Sequence, residues 1–308
     1  AEGSSDKQIR DGILALTAGF GTYATLNMLV NIGNNRYRLI DFWTGTYRAA
    51  TGSGALNTLP ISVAPYAVKF EKRLPVKIMF LALFFATIQY MFMLGTRTQF
   101  AILLLIVILA ALQFAYSEQG IAGVLKCIGI MAVISLIAFL LYHFNVLSIR
   151  DYILSTNLAA RYERRASLEN ADSFRFQSFW IGLRELIQYP MGGRASQIYR
   201  HNMWLDVGRV SGIIPFCLLL VYSIKNFANV TVIWKNTKIL PSLRYLLLFL
   251  YIGAYVNCFV EPIWEGALNF FLALCVVDGM VSAMMRRLEN DPTPEESVSD
   301  TSNLHTDL

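Results

Sequence analysis

The sequence predicts an all-α polytopic membrane protein with about eight transmembrane helices and a helical loop on the non-cytoplasmic side. Three observations lead there. Of 308 residues, 55% are hydrophobic and only 15% charged, whereas soluble domains carry about 25% charged residues. The mean hydropathy is +0.47. Long apolar runs recur along the chain, and the basic residues between them divide by type.

A membrane-spanning helix needs about 20 mainly apolar residues, because the hydrocarbon core is roughly 30 Å thick and a helix rises about 1.5 Å per residue. Eight runs qualify: 12–32, 55–70, 77–94, 98–116, 121–146, 207–226, 243–260 and 265–285. The first two are rich in Gly, Thr and Asn and are the least apolar. Backbone groups in lipid must be satisfied within the segment, so such runs are helices.

This divides the chain into five spans with short loops over 1–146, an arginine-rich loop over 147–206, three spans over 207–288 and a polar acidic tail over 289–308. The tail has little apolar surface to bury, and we expect it to be disordered and cytoplasmic. The first ten residues are polar, with no signal-peptide core. We expect further sequence to precede Ala1.

The formal net charge of +5 would suggest a nucleic-acid partner in a soluble protein. Here the basic residues flank spans or share one loop, so placement outweighs the sum. Lys7, Lys69, Lys72, Lys77, Lys126, Lys225, Lys235 and Lys238 fall in the N-terminal segment or in alternate connections, which the positive-inside rule assigns to the cytoplasm. Both termini are then inside. The outer connections, 33–54, 95–97, 147–206 and 261–264, carry many arginines and no lysine. Guanidinium grips phosphate through a planar fork, whereas ammonium is a point charge. An anionic ligand on the outer face is the chemical reading of that division; chance partition of eight lysines is the alternative.

Cys127, Cys217, Cys258 and Cys275 all lie in apolar stretches and show no CxxC or Cys/His spacing. We read them as small buried hydrophobes rather than as a disulfide framework or a zinc site.

The loop 147–206 holds eight arginines against six acids, although basic loops normally stay inside. Within it, Phe174, Phe176, Phe179, Trp180, Leu183 and Ile187 recur near helical spacing with Arg175 and Arg184 between them. That pattern predicts an amphipathic helix on the membrane surface; an ordinary docking helix with snorkelling arginines gives the same pattern. After the turn Pro190-Met191-Gly192-Gly193, the run His201-Asn202-Met203-Trp204-Leu205-Asp206 leads into a span and places His201 at the outer interface. His143 ends an apolar helix and His305 sits in the tail. Arg97, in Gly95-Thr96-Arg97-Thr98, lies between two apolar runs with almost no loop; in lipid such a charge must face protein, water or a ligand.

These residues in this order resemble the O-antigen ligase and O-antigen polymerase superfamily. The resemblance rests on Gly95-Thr96-Arg97-Thr98 before an apolar helix, Arg175 followed by Phe-Gln-Ser-Phe-Trp180, Tyr189-Pro190-Met191-Gly192-Gly193, and His201-Asn202 with Gly212 downstream. It covers roughly 41–216, with a two-helix continuation to Met285.

What the resemblance implies is a multi-pass enzyme of the bacterial inner membrane. It would transfer a glycan from undecaprenyl pyrophosphate to an acceptor hydroxyl at the periplasmic face, in lipopolysaccharide and surface-polysaccharide assembly, with neither metal nor cofactor. The partners implied are the lipid-linked glycan, an acceptor glycan or lipid A core, and the bilayer. Position by position, the family's catalytic arginines correspond to Arg97 and Arg175 and its histidine to His201, with substrate contacts from Arg161 and Asn202. The family usually has ten or more spans. The stretch from Arg175 to His201 is short for a ligase and leaves room for a polymerase. A transporter of lipid-linked sugars would need mid-membrane charges and broken helices, while the cores 78–95 and 100–116 are free of charge.

Overall fold

The computed structural model of the chain describes residues 5–32, 38–166 and 171–290. The tail expectation for 291–308 lies outside the described residues. The fold is helical: α1 (Asp6–Val30), α2 (Ala50–Lys69), α3 (Leu74–Leu94), α4 (Arg97–His143), α5 (Ile149–Ser155), α6 (Asn157–Ala166), α7 (Ala171–Gln188), α8 (Met203–Ser211), α9 (Ile213–Lys235), α10 (Pro241–Val260), α11 (Ile263–Gly266) and α12 (Leu268–Asn290). Among the described residues, α1, α3, α4, α9, α10 and α12 are long and apolar enough to cross a bilayer. The chain is a multi-pass membrane protein.

The expected spans 98–116 and 121–146 fall together in α4, which Gly120 divides with φ 60° and ψ −144°. Beyond that break the helix exposes apolar side chains on every face, Ile121, Leu125, Val133 and Phe139 among them. The expected span 207–226 is corrected: the helix breaks at Gly212, φ 95°, so the long helix begins at Ile213 and α8 is separate. The connection between α1 and α2 also carries an unpredicted antiparallel hairpin, β1 (Arg38–Ile40) and β2 (Tyr47–Ala49), in which Leu39 faces Arg48. Asp41 closes its turn by accepting the amides of Trp43 and Thr44 at 3.0 and 2.9 Å.

Despite Pro60 and Pro65 within it, α2 is the hub, packed against α1, α3, α4 and α10. Its small residues explain this. A Cβ at Gly54 would lie 2.9 Å from Gln99 of α4 and from Thr96 just before it, and Gly253 of α10 packs on Ser62 and Thr58. Small residues let helices approach closely where lipid supplies no hydrophobic drive between them. The main core then runs from Ile13 and Leu56 through Tyr251 and Phe270 to Met284.

Side-chain contacts sort the helix ends into two groups. At one end Arg73 bonds Glu71 and Asp11, Asp6 pairs with Arg287 and accepts the Leu240 amide, and Lys69 pairs with Glu118. Lys7, Lys72, Lys77, Lys235 and Lys238 belong to this end. At the other end Arg161 reaches Gly95, Thr98 reaches Glu261, Asn202 reaches Phe259 and Arg209 reaches Glu265. The lysines named thus gather at one end of the bundle, where Arg73 and Arg287 also lie, while the contacts at the other end include those of Arg161 and Arg209. The four cysteines are free thiols, and Cys217 is exposed rather than buried as its apolar context suggested.

Candidate functional site

The sharp connection between α3 and α4 builds the first part of the site. Gly95 ends α3 in the left-handed region, φ 66° and ψ 38°, a conformation that glycine adopts without the Cβ clash other residues meet. A Cβ there would also lie 2.7 Å from Arg161 Cδ and from the Asn157 carbonyl. That closeness lets α6 seat on the turn: Asn157 donates to the Met93 carbonyl at 2.7 Å and Arg161 to the Gly95 carbonyl at 2.8 Å. Arg97 opens α4, its guanidinium carbon 5.9 Å from the Tyr162 ring centre, a cation–π distance.

Below Arg97 lies a cavity of about 320 Å³. Arg97, Thr98 and Tyr162 line its polar mouth; Ala101, Ile102, Leu105, Val256 and Val260 line its apolar length. From Arg97 to Leu105 it follows two turns of α4, roughly 12 Å at 1.5 Å per residue. Thr98 donates to Glu261, a carboxylate only 4% exposed.

The second part is the loop bearing His201. Gly182 packs on Leu205 and Gly208 on Leu186, so α7 and α8 lie side by side in the same direction. Contacts of Gly208 with Phe216 and of Trp204 with Ser223 show α9 folding back on α8 at Gly212. The turn at 190–193 docks against that break: Ile213 N donates to Pro190 O at 2.8 Å and Gly193 N to Val210 O at 2.9 Å. A Cβ at Gly192, φ 74°, would lie 2.5 Å from Gly212 N. A helix covers the expected stretch 173–189, as α7, and it packs along α8 while exposing Phe176, Trp180 and Ile187.

Buried charges tie the loop down. Arg209, 3% exposed, donates to the carbonyls of Arg194, Ala195 and Gln197 at 2.5, 3.1 and 2.8 Å, and pairs with Asp206 at 3.7 Å and with Glu265. Arg200 clasps Glu185 at 3.0 and 2.7 Å. The Arg200 amide donates to Asp206 at 2.6 Å. Burial pushes the Asp206 carboxyl above its usual range, against these hydrogen bonds and the Arg209 charge; burial also lowers Arg209.

His201 follows Arg200 directly and has φ 55°, a left-handed conformation that costs a non-glycine residue roughly 1–3 kcal/mol and persists only where its surroundings fix it. Its ring meets Tyr199 edge to face, centroids 4.7 Å apart. Asn202 is 3% exposed; it caps α8 by accepting the Leu205 amide at 3.1 Å and donates to the Phe259 carbonyl at 3.2 Å. Those bonds make it a holder of the His201 backbone.

The structure brings Arg97 and Arg161 to the two sides of Gly95. It links them to the His201 loop through the end of α10, where Phe259 meets Asn202, Val260 lines the cavity and Glu261 holds Thr98. Arg175 lies on α7, with its side chain outside the described residues. Sequence reading missed Asn157 and Tyr162, which carry no distinguishing pattern. It also passed over Arg209, although a charge inside a presumed span was a signal. Compared with protein-family models the chain matches none, and comparison with curated proteins also gives no match.

Proposed function

We propose that the chain is a metal-independent glycosyltransferase of the bacterial inner membrane, O-antigen ligase-like, moving a glycan from a polyprenyl pyrophosphate to an acceptor hydroxyl at the periplasmic face. A repeat-unit polymerase is the alternative, differing only in the acceptor. The observation that carries the reading is Arg97 at the polar mouth of an apolar cavity between α4 and α10, matching a ligand with an anionic head and a hydrocarbon tail. In this reading the arginine end is periplasmic, and α2 and both parts of α4 also cross, making about eight spans.

Arg97, with Arg161 beside it and Arg175 from α7, stabilises negative charge as pyrophosphate leaves the anomeric carbon; fixed positive groups act this way wherever charge develops in the transition state. His201 takes the acceptor hydroxyl proton as general base. The hydroxyl oxygen bonds to the anomeric carbon as the carbon–oxygen bond to pyrophosphate breaks. Asn202 keeps His201 in place.

Transfer assayed with purified protein, a labelled polyprenyl-pyrophosphate glycan and either acceptor class tests this. His201→Ala and Arg97→Lys each abolish turnover if the roles are right. Lysine is the informative change at Arg97 because it keeps charge and loses the fork. Near-normal turnover in either variant overturns that residue's role, and product on neither acceptor overturns the reading.

A further inference from the structure

Away from the arginine end, a carboxyl side chain sits deep in the bundle. Asp278 lies ten residues along α12 from Leu268, about 15 Å from that end at 1.5 Å per residue, and is 2% exposed. Tyr251 of α10, fully buried, donates its hydroxyl to Asp278 Oδ1. Tyr222 of α9 lies beside the same carboxyl. Oδ2 is buried and has no hydrogen-bond partner among the described residues.

Cations near the packed elements are engaged elsewhere. Arg287 pairs with Asp6, Arg10 and Arg73 with Asp11, and Arg209 with Glu265 and Asp206. The groups that face Asp278 are neutral: Tyr222, Tyr251, Tyr255, Cys258 and Cys275. A carboxylate in such surroundings is compensated by a proton more readily than by a distant charge, and ionisable residues inside membranes commonly mark proton relays.

We infer that Asp278, buried in the bundle and held by the Tyr251 hydroxyl, is an exchangeable proton-binding site. The proton comes from bulk water and binds one carboxylate oxygen; no other bond changes. The inference does not rest on glycosyl transfer.

Infrared difference spectroscopy on the whole protein in lipid nanodiscs, titrated between about pH 5 and pH 10 without sodium, reads the carbonyl stretch of a protonated carboxyl. The expected result is a band that disappears reversibly as pH rises and is missing from Asp278→Asn. Tyr251→Phe keeps the carboxyl but removes a donor that favours the charged form, so its band persists to higher pH. That variant keeps the test valid if Asp278→Asn fails to fold. A band unchanged across the range marks a fixed structural hydrogen bond and overturns the inference. So does the lack of any band assignable to Asp278, and so does a band lost only when sodium is added, which would mark a cation site.

Discussion

Arg209 and Glu265 form an ion pair that fastens α8 to α11, the arginine 3% exposed and its Nη1 directed at three loop carbonyls. Removing one partner of a buried, hydrogen-bonded pair destabilises by about 3–5 kcal/mol, because the remaining groups are left uncompensated.

Arg209→Ala should therefore lower the thermal unfolding midpoint in detergent strongly. Glu265→Gln should lower it less, since the Glu265 side chain is 35% exposed and the carbonyl bonds survive. An unchanged midpoint for Arg209→Ala would contradict the clamp.

Two glycines separate conformational need from packing need. Gly45, φ 66°, has nothing within 4 Å of a would-be Cβ, whereas Gly95, also φ 66°, would meet Arg161 and Asn157 at 2.7 Å. Ala at either site bears the left-handed penalty of about 1–2 kcal/mol. Gly95→Ala should additionally push α6 off the α3–α4 turn. Protease susceptibility of residues 157–166 should rise in Gly95→Ala and stay at the native level in Gly45→Ala.

The turn at the lysine end predicts an acid dependence. Hydrogen bonds from the Arg73 guanidinium hold the Glu71 carboxyl down to about 2, against burial. A depressed carboxylate contributes stability that is fully present above its unfolded value, about 4.3, and is lost as pH falls toward 2. Wild type should exceed Glu71→Gln in unfolding midpoint at neutral pH, and the gap should close between about pH 4.5 and pH 2. A gap constant over that window would be inconsistent with the pairing.

What the sequence made legible followed physical rules with strong local signatures. Apolar length marks helices, and the placement of lysine marks one end of the bundle, because both depend on composition alone. The hub role of α2 was hidden, since Gly52, Gly54 and Ala55 look like weak membrane residues until α11, α4 and α10 are seen pressed against them. The break at Gly212 was equally hidden; its φ of 95° is set by the distant turn at Pro190, which bonds Ile213. In the site, Arg97 stood out as a charge between spans. Asn157 and Tyr162 did not, because their significance is contact with Gly95 and Arg97 across more than fifty positions.

The cavity under Arg97 yields the last prediction. If its apolar length receives a polyprenyl chain, filling it should obstruct long-chain donors while sparing the chemistry at the mouth. Leu105 lines the far end, two turns from Arg97, so Leu105→Trp intrudes without touching Thr98 or Tyr162. We expect KM for the polyprenyl donor to rise at least about tenfold, the equivalent of roughly 1.4 kcal/mol of binding, with kcat nearly unchanged, because binding common to the ground and transition states appears in KM alone. A short-chain water-soluble pyrophosphate donor should show no such rise. Equal penalties on both donors would mean that Leu105→Trp acts by distorting α4, and a long-chain donor unaffected by the change would place its tail elsewhere in the bundle.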